Sequence, residues 1–158
     1  MVTLRPMTSS EFEAYIPVLL EGYARERANN LHDSLESQLA EAEKQTSELL
    51  PQGVQTPNHF LWHVIAEERG ASVTVGNLWV FPDTAAHKAF IYDIQIDQPY
   101  QGKGYGGDTL ACLENELRPY SVRQIGLSVF GDNERAFRLY QKAGYYIVAT
   151  HMQKDLNP

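Results

Sequence analysis

Hydrophobic and polar positions change period several times along the chain, and the changes mark its elements. Val2-Thr3-Leu4-Arg5 reads as a short strand that Pro6 stops. Thr8 and Ser10 each have a glutamate three residues on, Glu11 and Glu13, so a capping box opens a helix. Phe12, Tyr15, Ile16, Leu19, Leu20 and Tyr23 keep helical spacing, which predicts a helix to about Ala28, broken by Asn29 and Asn30. Asp33 or Ser34 starts a second helix whose apolar face is Leu35, Leu39, Ala42 and Leu49, and Pro51 and Gly53 end it. The period then shortens. Phe60–Ala66, Val73–Phe81 and Ala89–Ile96 read as strands, and their short links imply an antiparallel meander. Leu110, Leu113 and Leu117 restore a helical stripe, Gln124–Phe130 a strand, and Ala136, Phe137 and Tyr140 a helix that Asn133 caps and Gly144 closes. Tyr145–Ala149 reads as a last strand. The order β-α-α-β-β-β-α-β-α-β predicts an α/β (α+β) fold, a mixed and mostly antiparallel sheet with helices on both faces. Neither an internal repeat nor a linker interrupts it, so residues 1–158 are expected to form a single domain.

One polar stretch stands out from this pattern. Tyr100-Gln101-Gly102-Lys103-Gly104-Tyr105-Gly106-Gly107 lies between an apolar strand and a helix. A strand, a glycine turn and a helix in that order aim unpartnered backbone N–H groups out of the helix N-terminus, where the helix dipole adds positive potential. That is an anion site suited to phosphate or pyrophosphate. The Walker A pattern is absent. Gly102, Gly104 and Gly107 satisfy the dinucleotide fingerprint by letter, but too little chain follows for the second half of a doubly wound domain. Gln101, Gly104 and Gly106 fit the pattern Gln/Arg-x-x-Gly-x-Gly/Ala. An ordinary strand-to-helix turn is the remaining reading.

Composition narrows the picture only in part. A hydrophobic share of 43% and a charged share of 21% are ordinary for a globular chain. A net charge of −7 argues against general binding to nucleic acid or an anionic membrane. No run is long and apolar enough for a membrane span and no signal peptide opens the chain, so a cytoplasmic location is expected. The single cysteine, Cys112, falls inside a helix and suits packing better than nucleophilic work. His59 and His63 lie four apart in a strand, which does not make the helical metal pair, and no metal is expected.

The glycine loop resembles the pyrophosphate loop of the GCN5-related N-acetyltransferases, the GNAT family. A second segment carries the resemblance independently. Asn133-Glu134-Arg135-Ala136-Phe137-Arg138-Leu139-Tyr140-Gln141-Lys142-Ala143-Gly144-Tyr145 is similar to the family's Asn-x-x-Ala-x-x-x-Tyr-x-x-x-Gly-Phe/Tyr signature. The predicted element order is also the family's, so the resemblance covers nearly the whole chain. It implies acetyl-CoA as acetyl donor, transfer to a primary amine of a small molecule or peptide, and a homodimer among the allowed assemblies. It places the cofactor on the backbone of Ile94, Gln95 and Ile96, on Gln101, Gly102, Lys103, Gly104, Tyr105, Gly106 and Gly107, and on Asn133.

It further implies that Tyr140 protonates the departing thiolate; packing alone would place a tyrosine there too. Asp93, a carboxylate in an apolar strand, is expected either to bind or deprotonate the amine or to anchor a structural hydrogen bond. Tyr92 and Asp93 face opposite sides of an ideal strand, so only a bulge lets both face the acceptor. The glutamate bases of protein-modifying relatives are missing, with Ser128 and Phe90 at their positions. A non-catalytic acyl-CoA-binding domain of the same fold is the alternative reading.

Overall fold

The computed structural model describes residues 1–156. Five strands form one sheet in sequence order: β1 (Val2–Pro6), β2 (Phe60–Glu68), β3 (Ala71–Asp83), β4 (Lys88–Ile96) and β5 (Gln124–Leu127). The first four are antiparallel neighbours, and β5 runs parallel to β4. Helices α1 (Ser9–Leu31) and α2 (Leu35–Leu49) cover one face; α3 (Tyr105–Leu117) and α4 (Glu134–Lys142) cover the other.

Local signals account for most of the boundaries. Thr8 accepts from the Glu11 backbone while Glu11 reaches back to the Thr8 N–H, a complete capping box. α1 does not break at Asn29 and Asn30. The Asn30 side chain bonds the Glu26 carbonyl and Asp132 instead, and the helix runs on to a left-handed cap at His32. Alternation in β3 sends Leu78 and Val80 into the core under α3 and Trp79 into the core under α1. Gly76 is a packing requirement: a Cβ there would lie 2.1 Å from the Gln95 carbonyl oxygen.

Two predicted strand segments do not form. β5 ends at Leu127, so Ser128, Val129 and Phe130 lie outside the sheet. Tyr145–Ala149 is not a strand at all: it leaves the outer edge of β5 uncovered, with Tyr146, Ile147 and Val148 exposed. The β-branched and aromatic composition of that run was a true local preference, but a strand needs a partner. The segment instead goes to the end of α1, where Gln153 donates to the Leu31 carbonyl and Asp155 meets His32.

Candidate active site

The site begins where two strands part. β4 pairs with β5 only from Lys88 to Ile91, and the rest of β4, from Tyr92 to Ile96, has no neighbour on that side. A bulge opens at the same point. Trp79 pairs with Asp93 and Val80 with Ile91, so Tyr92 is the extra residue. Tyr92 then stacks on Trp79 at 4.7 Å while Asp93, its immediate neighbour, bonds Tyr15 of α1. Both side chains therefore serve the α1 side, an arrangement that strict alternation forbids.

Backbone direction beyond the bulge follows from two contacts. The Gln95 carbonyl points at Gly76 of β3, and the Asp97 N–H bonds Val75. The main-chain groups of Ile94 and Ile96 consequently face away from β3, into the split. Of the three strand residues expected to meet the cofactor arm, Ile94 and Ile96 turn their backbone toward the split and Gln95 turns its own toward β3. The Ile96 carbonyl is already taken by the side-chain amides of Gln95 and Gln101, at 3.0 and 2.8 Å, and Gln101 thereby ties the glycine loop to the strand.

The loop fits an anion. Gly102 and Gly104 have φ of 80° and 88°, and Gly104 caps α3 without any side-chain bond. No backbone N–H from Gly102 to Gly107 has an acceptor among the described residues. These groups converge on the helix N-terminus, and a Cβ at Gly104 or Gly107 would meet nothing within 4 Å. Gly106 serves packing instead. Its missing Cβ admits Leu139 of α4, whose Cδ2 would be 2.9 Å away. Lys103 and the partly buried Tyr105 both bond Glu68 at the end of β2, at 3.0 and 2.5 Å. Those bonds, Tyr105's first, hold the Glu68 carboxyl below its usual range. Arg135 of α4 reaches across to Gln101 at 2.8 Å, a cation beside the loop that the motif alone did not single out.

Asn133 caps α4, its Oδ1 accepting from the Ala136 N–H at 3.2 Å, which leaves its Nδ2 for other work. Tyr140 is 9% exposed and packs near Tyr145, with ring centroids 5.9 Å apart. Burial first, and then the charge of Asp93, push its hydroxyl up to about 12. That hydroxyl has no hydrogen-bond partner among the described residues, yet it is not sealed in; only the Tyr145 hydroxyl is both sealed and partnerless there. Asp93 is partly buried, and its burial raises the carboxyl to about 6 against the opposing bond from Tyr15.

His59 and His63 are structural. Trp79 donates to His59 at 2.9 Å, and His63 sits between Asn77 and Glu11. No group of three metal-ligating side chains occurs among the described residues. Cys112 is partly buried on α3, and burial raises its thiol.

Residues 22–145 match the Acetyltransferase (GNAT) family. The chain belongs to the GNAT family. The uncharacterized N-acetyltransferase YycN of Bacillus subtilis is 33% identical over 157 residues, spanning 98% of this chain and 99% of that one. The crystal structure of YycN superposes with a TM-score of 0.91 at 32% identity, covering both chains in full. The uncharacterized N-acetyltransferase YdgE of the same organism is 28% identical over 98% of each chain. This GNAT protein is thus an acyltransferase, and its five-stranded sheet with four helices is the fold of its relatives. No helix among the described residues is long and apolar enough to cross a membrane.

Proposed function

We propose that this acyltransferase moves an acetyl group from acetyl-CoA directly to a primary amine of a small molecule or peptide. One observation carries the reading: β4 parts from β5 beyond Ile91, and its uncovered half carries Asp93 and is tied by the Gln101–Ile96 bond to the glycine loop with its open N–H groups. The loop from Gly102 to Gly107 would take the pyrophosphate. The backbone of Ile94 and Ile96 would pair with the pantetheine amides like an added strand, and Asn133 Nδ2 would hold the same arm.

Acetyl-CoA supplies the activated acyl group. The chain's own residues supply order and protons. Tyr140, with its hydroxyl pushed up to about 12, stays protonated at neutral pH and gives its proton to the departing sulfur. Asp93, raised to about 6, is ionised above that pH, so it can receive a cationic amine and take one proton from it, and the second proton, shed as the C–N bond forms, restores the Tyr140 hydroxyl. A spermine/spermidine N(1)-acetyltransferase of Bacillus subtilis is 45% identical over 51 residues, which supports an amine acceptor without choosing it.

The test is a screen of primary amines with acetyl-CoA, reading the free thiol released. Turnover with an amine and none without one supports the reading. Binding of acetyl-CoA with no turnover across polyamines, amino acids, aminoglycosides and peptide N-termini would overturn it.

A further inference from the structure

The Asp93 carboxyl is reached from the opposite side by a residue whose place in the sequence suggests only packing. Tyr15 lies in the apolar stripe of α1, is 6% exposed, and belongs to the cluster of Met7, Leu50, Leu61 and Trp79. A phenylalanine would fill that stripe equally well. Its hydroxyl nevertheless crosses to β4 and donates to Asp93 Oδ2 at 2.6 Å, a contact between residues 78 apart in sequence. This is the length of a strong bond to a carboxylate. It is the one hydrogen bond the carboxylate receives among the described residues, and Oδ1 is neither partnered nor sealed.

α1 is well placed to control this point because it bridges the mouth of the split. Tyr15 touches β4, while Tyr23 and Asn30 meet Phe130 and Asp132 in the segment after β5. We infer that Tyr15 is a positioning residue for the transfer: its hydroxyl fixes Asp93 Oδ2 and turns Oδ1 toward the acceptor amine. This rests on the reading of Asp93 as the group that meets the amine.

The groups facing Asp93 set the direction of every effect. From α1 come Tyr15 and Glu26; from α4 comes Tyr140, whose hydroxyl feels the carboxylate; Tyr92 adjoins it on β4; and Trp79 opposite on β3 carries no charge. Burial and the Glu26 charge favour the protonated acid, and the Tyr15 bond opposes them. Without that bond Asp93 would hold its proton to higher pH and would be a poorer receiver of a cation at neutrality. Removing a hydrogen bond to a charged group commonly costs about a factor of ten in an equilibrium or more.

The experiment is a carboxyl carbon NMR titration of protein labelled at aspartate, with the Asp93 signal assigned by its loss in Asp93→Asn. In Tyr15→Phe the Asp93 midpoint should move up by about one pH unit, as expected for one charge-assisted bond. Placing 3-fluorotyrosine at position 15 makes a more acidic donor of almost the same shape, and should move the midpoint down. That second variant keeps the test decisive if Tyr15→Phe folds poorly. With the amine found by screening, the acid limb of kcat/KM in Tyr15→Phe should shift up with the midpoint, so the loss should be about twofold at pH 7 and should approach about tenfold near pH 5. An unmoved Asp93 midpoint in both variants overturns the role of Tyr15 alone. A wild-type pH profile in Asp93→Asn overturns the role of Asp93 as well, and the two failures are thereby told apart.

Discussion

At the scale of single residues, Tyr140 and Asp93 carry opposite assignments because their surroundings push different chemistry toward neutral pH. Tyr140→Phe removes a hydroxyl and keeps the ring that packs against Tyr145, so folding and acetyl-CoA affinity should survive. General acid groups are typically worth about 10²–10⁴-fold in rate. A loss of that size should appear in single-turnover measurements, and a wild-type rate would leave Tyr140 as core. For Asp93 the sign also reaches stability. Its carboxyl binds a proton more tightly folded, at about 6, than unfolded, at 3.8. It therefore contributes stability at low pH that is lost as pH rises through 6. Wild type should gain about 2 kcal/mol over Asp93→Asn between pH 8 and pH 4. Denaturant midpoints of the two proteins at both values test this, since groups out of reach of Asp93 cancel in the difference.

At the scale of elements, glycines that look alike in the sequence do different work. Gly76 faces the backbone of Gln95 and Ile96, at 2.1 and 3.1 Å from an added Cβ, and neither can yield without separating β3 from β4. Gly76→Ala should cost about 3 kcal/mol or more and weaken acetyl-CoA binding through the displaced Ile94–Ile96 edge. Gly106 faces only the end of the Leu139 side chain, at 2.9 Å, which can turn aside. Gly106→Ala should be much milder in thermal unfolding. Gly104 is a third case, with φ of 88° and open space before it. Gly104→Val would strain the turn and fill the space in front of the loop N–H groups, so calorimetry should show acetyl-CoA affinity falling in a folded protein. Unchanged affinity would remove the loop from the site.

At the scale of the whole molecule, the chain after Tyr145 is set apart from the rest. Tyr146, Ile147, Val148, Met152 and Leu156 are between 62 and 87% exposed. Its described attachments are the Gln153 and Asp155 contacts at the end of α1. Ending the chain at Tyr145 should therefore shift Tm by no more than a few degrees, because little apolar area is uncovered. A large drop would mean that these side chains are buried in solution.

Which parts of this were legible in the sequence depends on the range of the interaction. Thr8 and Glu11 cap α1 with bonds three residues apart, Asn133 caps α4 in the same way, and Gly102 and Gly104 take positive φ within one turn. Such features are written locally, so the elements, the glycine loop and the two family segments could be read in advance. The bulge at Tyr92, the turning of Ile94 and Ile96 into the split and the bond from Tyr15 to Asp93 could not. Each depends on which strand or helix lies opposite, and no local propensity encodes that. Tyr145–Ala149 shows the limit from the other side: its composition favours a strand, but a strand is a pairing, and in the folded chain this run pairs with no neighbour, the free edge of β5 included.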